Sequence, residues 1–245
     1  FLMNILLTND DGIQSPILPL LAKFLQTYGK VYVVAPDSEK SGVGHGFTFH
    51  HPLQVKEVAG FPCQALALSG TPADCVKFAH CQWMTEGIDL VISGVNHGHN
   101  AGVAIFYSGT VAGAREAALW NIPGLALSID DLHHEKAWPQ IKVWLQKFMD
   151  HKTYQSIASY WNVNFPNASQ NWAGELLCTM SQVMYEDKYI KKEDGYYLQG
   201  FKPENFLEGT DDWALSQNKI SITPLGLDAT NYKEIKNTIS QELNQ

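Results

Sequence analysis

Basic charge is scarce in this chain: 17 Lys and Arg stand against 25 Asp and Glu, a net charge of −8. Gripping a nucleic-acid duplex by its backbone needs clustered cations, so a duplex is excluded as the main partner. A small anionic substrate is not, because a metal and backbone amides could hold it. Cysteine is scarce too. Cys63, Cys75, Cys81 and Cys178 form no Cys-x-x-Cys pair, which reads as reduced thiols in a cytoplasmic protein. No apolar run reaches the roughly 18 residues of a membrane span, so no membrane partner is expected. The opening Phe1-Leu2-Met3-Asn4 lacks a basic segment and a cleavage site, so no signal peptide is expected. Gly-x-Gly-x-x-Gly, Walker and Gly-x-Ser-x-Gly patterns are absent as well, which leaves dinucleotide, kinase-type and lipase-type readings without support. What is present is 245 residues, 45% hydrophobic and 17% charged. That composition buries a core, and the length suits one domain over residues 1–245.

The order of elements predicts an α/β protein. Met3 to Leu7 is a continuous apolar run, hence a buried strand. Ile17 to Tyr28 has Leu18, Leu21, Ala22 and Leu25 at helical spacing, with Gly29 as the stop. Lys30 to Ala35 is a second buried strand. Strand, helix and strand within about 35 residues form a βαβ unit and therefore a parallel sheet. Phe47 to Leu68 reads as one or two strands. Thr71, Pro72 and Asp74 mark a helix start with a weakened capping box. Ile88 to Ile92, Gly124 to Ile129 and Trp161 to Phe165 read as further strands, with Thr110 to Leu119 and Glu135 to Met149 as helices. From Asn167 onward the pattern changes. Alternation over Tyr185 to Leu198 predicts an antiparallel hairpin or arm, followed by a strand over Lys219 to Pro224 and a polar helix over Tyr232 to Leu243. The expected architecture is Rossmann-like: three layers, α/β/α, around a mostly parallel sheet, with residues 167–245 as a C-terminal arm and helix.

The chemistry gathers behind the strands. In an open parallel sheet, ligands bind outside the C-terminal strand ends. Here those ends carry Asn9-Asp10-Asp11-Gly12, then Ser41-Gly42, then Asn96 and Asn100, then Ser108-Gly109-Thr110. Two adjacent carboxylates repel each other, and a cation between them removes the repulsion. The oxygen donors suit a hard divalent ion, Mg²⁺ or Mn²⁺, one per subunit. Asp10 and Asp11 would supply charge, Ser41 a hydroxyl and Asn96 an amide oxygen. The bland alternative for Asp-Asp-Gly is a plain turn; the two later loops favour the metal. Ser108-Gly109-Thr110 opens a helix, where free N–H groups bind anions and where a hydroxyl also serves as an ordinary cap. His45 could donate to a phosphate oxygen or move a proton. His97-x-His99, without a nearby Cys, is weak as a zinc site. His50-His51 and His133-His134 read as surface residues, and Cys75 as packing.

These residues resemble the SurE family of survival-protein nucleotidases. The match runs through Ile5-Leu6-Leu7-Thr8-Asn9-Asp10-Asp11-Gly12-Ile13, Val34-Ala35-Pro36-Asp37 with Ser41-Gly42, and Gly70-Thr71-Pro72-Ala73-Asp74-Cys75-Val76. It continues through Val91-Ile92-Ser93-Gly94-Val95-Asn96, Tyr107-Ser108-Gly109-Thr110-Val111, Asn162-Val163-Asn164-Phe165-Pro166, and Gly209-Thr210-Asp211 with Ile220 to Leu225. The resemblance implies a metal held by Asp10, Asp11, Ser41 and Asn96. It implies phosphate contacts around Asn9, Gly42, Asn100, Ser108, Gly109 and Thr110. It also implies a hydrolase, a 5'/3'-nucleotidase acting on nucleoside monophosphates and on short polyphosphate, in dimers or tetramers that exchange C-terminal segments. Two positions depart from the family pattern: Ile17 stands where a glycine is usual, and Ala104 where an acid is usual. Lys40 keeps the usual base before Ser-Gly. Two rival readings stay open: a phosphatase that forms an aspartyl-phosphate on Asp10 or Asp11, and a nucleotide-binding protein without turnover.

Overall fold

A computed structural model describes residues 3–156 and 159–236. The chain alternates β1 (Met3–Thr8), α1 (Ile17–Leu25), β2 (Gly29–Pro36), β3 (Val55–Glu57), β4 (Gln64–Leu68), α2 (Pro72–Phe78) and β5 (Leu90–His97). It continues with α3 (Gly109–Leu119), β6 (Gly124–Ile129), α4 (Ala137–Asp150) and β7 (Tyr160–Phe165). The C-terminal part adds β8 (Glu175–Leu177), β9 (Glu186–Lys192), β10 (Gly195–Phe201), α5 (Asp211–Ser216) and β11 (Ile220–Leu225). Among the described residues, one sheet runs in the order β3-β4-β2-β1-β5-β6-β7-β11-β8. Its central strands are parallel, whereas β3 pairs antiparallel with β4 and β11 pairs antiparallel with β7 and parallel with β8.

Alternation along β1 sets the layers. Ile5 and Leu7 pack with buried residues of α1 and α4, including Leu18, Leu21, Ile141 and Leu145. Leu6 faces the other way, into a cluster with Cys75 and Val76 of α2 and Ala117 of α3. Successive strand residues point to opposite faces, so both sides of the sheet are covered by helices. The expected three-layer, mostly parallel α/β fold with a C-terminal hairpin is what the structure shows.

Local details differ from expectation for identifiable reasons. Helix α1 ends at Leu25 rather than Tyr28, and Thr27 turns its hydroxyl onto the Phe24 carbonyl at 2.8 Å, a side-chain bond that competes with helical pairing. Gly29 is therefore not a helix stop but the first residue of β2. A Cβ there would sit 2.0 Å from the Met3 carbonyl oxygen. Residues 47–54 are not a strand; only β3 and β4 form from the stretch expected between Phe47 and Leu68. Segments 175–177 and 220–225 extend the main sheet, and only β9 and β10 form a separate two-stranded sheet. Residues 232–236 are helical, and the rest of the helix expected to Leu243 lies outside the described residues.

The capping box of α2 is complete. Thr71 accepts from the Asp74 amide while Asp74 accepts from the Thr71 amide at 2.9 Å. Asp74 also accepts from the Thr48 amide and hydroxyl, both at 2.8 Å. One buried carboxylate thus ties the loop after residue 46 to the start of α2. Asp74→Ala removes a cap and leaves several donors unsatisfied, so the unfolding free energy should fall by about 2–3 kcal/mol. Urea titration with an unchanged slope checks this; a loss below about 0.5 kcal/mol, within the range of neutral surface changes, would show that the hub carries no stability.

Candidate functional site

The strand order reverses direction between β1 and β5. From β1 the chain builds outward through β2 and β4, then returns to lay β5 on the other side of β1. Such a reversal opens a crevice at the C-terminal strand ends. Asp10 and Asp11 follow β1 into it, and Asn96 is the last residue but one of β5 beside it. Helix α3 starts on its far wall. That helix lies low on the sheet because Gly113 allows it: a Cβ there would meet Ser93 Oγ at 2.7 Å and Thr8 Cγ2 at 3.0 Å.

The two carboxylates are held differently. Asp10 is buried and docks on the start of α3. Its Oδ1 accepts from the Thr110 hydroxyl at 2.5 Å, and its Oδ2 from the Thr110 amide at 3.1 Å. A carboxylate at a helix N-terminus is favoured by the exposed amides there. Gly109 makes the approach possible, since a Cβ at that position would stand 2.9 Å from Asp10 Cβ and 3.1 Å from its Oδ2. Burial pushes the Asp10 carboxyl up, and the Thr110 hydrogen bonds hold it back. Asp11 is partly exposed and has no hydrogen-bond donor on its carboxylate among the described residues. Burial, then the charges of Asp10 and Glu39, push it up to about 6, while His97 and His133 oppose the rise.

The neutral donors are oriented by their own bonds. Asn96 donates both amide protons, to the carbonyls of His97 at 3.0 Å and Gly98 at 2.8 Å. Its Oδ1 is thereby identified and left as an acceptor. The Ser41 hydroxyl donates to Glu39 at 2.5 Å, so its oxygen keeps lone pairs to offer. Ser108 accepts from the Val111 amide at 3.0 Å as the cap of α3, which leaves its own proton free to donate. Thr110 is the opposite case, because its single hydroxyl proton is committed to Asp10. Asn9 braces the turn, donating to the Gly12 carbonyl at 3.1 Å and accepting from the Gly12 amide at 3.2 Å. Gly42 takes a left-handed φ of 70° in the loop above. Asn100 is buried in an amide net: Asn164 Oδ1 accepts from its backbone N–H at 2.7 Å, and its side chain donates to Ser128 at 2.9 Å.

A hard divalent cation fits this donor set. Glu39 raises the cost of charging Asp10, Asp10 and Glu39 raise that of charging Asp11, and no Lys or Arg pairs with Asp10 or Asp11 among the described residues. Neutral oxygens of Asn96 and Ser41 would complete an oxygen-only set. No group of three or more His, Cys, Asp and Glu side chains placed to hold an ion is found among the described residues.

His45 finds a carboxylate partner of its own. Its Nε2 pairs with Glu116 Oε2 at 2.8 Å, two turns into α3, about 9 Å along the helix axis from Thr110 at 1.5 Å per residue. Glu116 is buried and also takes Lys77 at 2.8 Å and the Trp120 indole N–H at 2.9 Å. Lys77 in turn lies 5.3 Å from the Trp120 ring and 5.6 Å from that of Phe47. Sequence reasoning missed Glu116, whose only signal was an acid in an Ala-rich helix. His133 is exposed and His134 half-buried, as the surface reading expected, and both line an open cavity beside Asp11. The Gly209-Thr210-Asp211 motif proves to be a clamp. Buried Asp211 accepts from the amides of Gly102 at 2.7 Å and Ser181 at 2.8 Å, fixing the short 3-10 turn Gly102–Phe106 that precedes Ser108 and holds Ala104.

The fold and geometry define the class: a Rossmann-like α/β protein with an acid- and amide-rich crevice at its switch point. The comparisons name it more closely. Residues 5–187 match the family described as Survival protein SurE. The 5'-nucleotidase SurE of Brevibacillus brevis is 39% identical over 249 residues, covering 96% of this chain and 94% of that one. Its counterpart in Clostridium botulinum is 35% identical over 244 residues, covering 95% and 97%. The crystal structure of SurE protein from Aquifex aeolicus superposes with a TM-score of 0.79 at 34% identity, covering 98% of this chain and 99% of that chain. The chain belongs to the SurE family.

Burial alone would raise the Glu116 carboxyl, but hydrogen bonds from His45, Lys77 and Trp120 outweigh it and hold the group down at about 2. A depressed carboxylate stabilises the fold above its unfolded value near 4.5, and that contribution fades as pH falls toward 2. Glu116→Gln should therefore cost about 1–3 kcal/mol at pH 7, and the gap to wild type should close between pH 4.5 and 2. Urea titrations at pH 7, 4 and 3 test the sign; a gap that widens in acid contradicts the assignment.

Proposed function

We propose that this protein is a metal-dependent phosphomonoesterase that hydrolyses nucleoside 5'- and 3'-monophosphates to nucleoside and phosphate, and that it also cleaves short polyphosphate. The observation that carries the reading is Asp10 docked on the start of α3, with Asp11 next to it in the chain and Asn96, its oxygen left as an acceptor, near the end of the adjacent strand β5. The relatives named 5'-nucleotidase SurE support it. Bound by Asp10, Asp11, Ser41 and Asn96, Mg²⁺ or Mn²⁺ would neutralise phosphoryl oxygen charge and acidify a water.

The chain's own residues do the rest. The Gly109 amide and the Ser108 hydroxyl, at the helix start, donate to a phosphoryl oxygen and stabilise charge that builds up as water attacks in line. Thr110 acts through Asp10, holding it at a fixed angle. Asp11 has free lone pairs and accepts the water proton. Asn9, Gly42 and Asn100 shape the phosphate loop walls. Direct attack by water is favoured over a carboxylate nucleophile, because Asp10 already has both oxygens engaged by Thr110 and no lysine pairs with Asp11 among the described residues.

Phosphate release from AMP and 3'-AMP, with EDTA and with Mn²⁺, tests the function. Wild type should release phosphate with Mn²⁺ and none with EDTA. Asp10→Asn and Asp11→Asn should each lower kcat by about 100-fold or more while the melting temperature stays within a few degrees of wild type. An Asp10→Asn protein with wild-type kcat in excess Mn²⁺ would falsify the site.

We also propose a cytoplasmic homodimer or homotetramer that exchanges C-terminal segments, within one domain over residues 1–245. Every residue of β9 is exposed, and the hairpin carries Tyr189, Tyr196, Leu198 and Phe201 to the surface. A two-stranded ribbon has no core of its own, so covering those side chains with a second copy explains why they are there. The four free thiols suit a reducing compartment. Light scattering should give a multiple of 27.3 kDa, and the Tyr196→Ser, Leu198→Ser double variant should shift the mass toward one chain. A wild-type mass of one chain rules the assembly out.

A further inference from the structure

Asp10 and Asp11 open onto different faces of the sheet. Asp10 turns to α3, whereas Asp11 lines a cavity of about 370 Å³ on the α1 and α4 side. The walls are mostly apolar: Ile17 and Leu20 from α1, Leu132 from the loop after β6, and Trp138 from α4. Trp138 is held edge-on against Phe24, ring centres 6.1 Å apart at 80°, so the wall is rigid. Gln14 supplies an amide at the rim. His97 and His133 stand there with ring centres 4.9 Å apart.

We infer that this cavity holds the heteroaromatic base of the nucleotide whose phosphate is bound at Asp10 and Asp11. The inference rests on the phosphomonoesterase reading above and adds the part of the substrate which that reading leaves unplaced. Four observations carry it. Volume is one: about 370 Å³ is at the lower end of the range for small-molecule sites and admits a nucleoside, not a polymer. Position is another, because the cavity shares Asp11 with the reacting centre. Wall chemistry is the third. Apolar side chains and an indole suit a flat ring, and an amide and imidazoles suit its polar edge. Charge is the fourth. Asp11 and Glu135 line the cavity, and Asp131 lies 3.8 Å from His97, so a second phosphate is disfavoured and a neutral base is not. The imidazoles do not converge into a metal cage among the described residues.

The test compares AMP with ribose 5-phosphate, which lacks the base, and measures free adenosine binding by calorimetry. Leu20 is 45% exposed, so Leu20→Gln together with Leu132→Gln removes apolar wall without opening the core; Trp138→Ala removes the rigid wall. Both variants should lower the ratio of kcat/KM for AMP to that for ribose 5-phosphate by about ten-fold, the scale of a lost apolar contact in a binding pocket, chiefly through KM. Adenosine should bind wild type and weaken by a similar factor in both variants. Thermal melts identify any variant that fails to fold, and Leu20→Gln alone then decides. An unchanged ratio with unchanged adenosine binding overturns the inference, as does a wild type that binds no adenosine. Adenosine binding that depends on the cavity, in a protein that releases no phosphate from AMP, sustains the inference while refuting the enzymatic reading.

Discussion

The crevice depends on one contact: a buried carboxylate seated on a helix N-terminus. Asp10 meets the hydroxyl and amide of Thr110. Through that pair the end of β1 and the start of α3, which are 100 residues apart in sequence, are fixed to each other. Much of the neighbouring composition serves the same approach. Gly109 leaves room for the Asp10 side chain, and Gly113 lets the helix lie low enough on β1 and β5 to bring its N-terminus there. Ser108 caps the helix, so the amides that remain free at its start point in a defined direction.

That contact also breaks the symmetry of the acidic pair. In isolation, Asp10 and Asp11 are two equal charges whose repulsion calls for a cation. In the fold they differ. Asp10 has its oxygens engaged and its geometry fixed. Asp11 faces the other side of the sheet, with no donor on it among the described residues and with His97 and His133 nearby. A cation placed between them would be anchored by the first and would leave the second able to reach a water or a substrate. Thr110 changes role for the same reason. A hydroxyl has one proton, and Thr110 gives it to Asp10.

The layers and the main strands were legible in the sequence because buried parallel strands are continuous apolar runs, and Leu6 between Ile5 and Leu7 already implies two covered faces. The site's donor types were legible because glycine, amide and carboxylate residues recur behind each strand. What could not be read was direction. Nothing in His45 tells that it turns to Glu116, since the partner sits 71 residues away on another element. His133 and His134 read as surface residues, and only setting α1 and α4 side by side shows that they border a cavity next to Asp11. Gly29 looks like a helix stop, and only the approach of Met3 shows that it is needed for strand pairing. In each case the missing information is a contact between elements that the local pattern does not encode.

Such contacts also explain how a loop with few apolar residues stays above the site. The segment between β2 and β3 carries Ser41 and Gly42, and only its flanks are anchored. Lys40 donates its amide to the Asp10 carbonyl at 2.7 Å, and Gly44 donates to the Tyr107 carbonyl at 2.9 Å. His45 reaches Glu116, and Thr48 reaches Asp74. A chain pinned at both ends and bare between them can keep Ser41 near the carboxylates while the left-handed Gly42 and Gly44 let the backbone turn closely around a ligand. The polar anchors therefore do for this loop what apolar burial does for the strands. Because two of them are buried carboxylates, Glu116 on α3 and Asp74 on α2, the loop's position is tied to the helix pair whose α3 also seats Asp10.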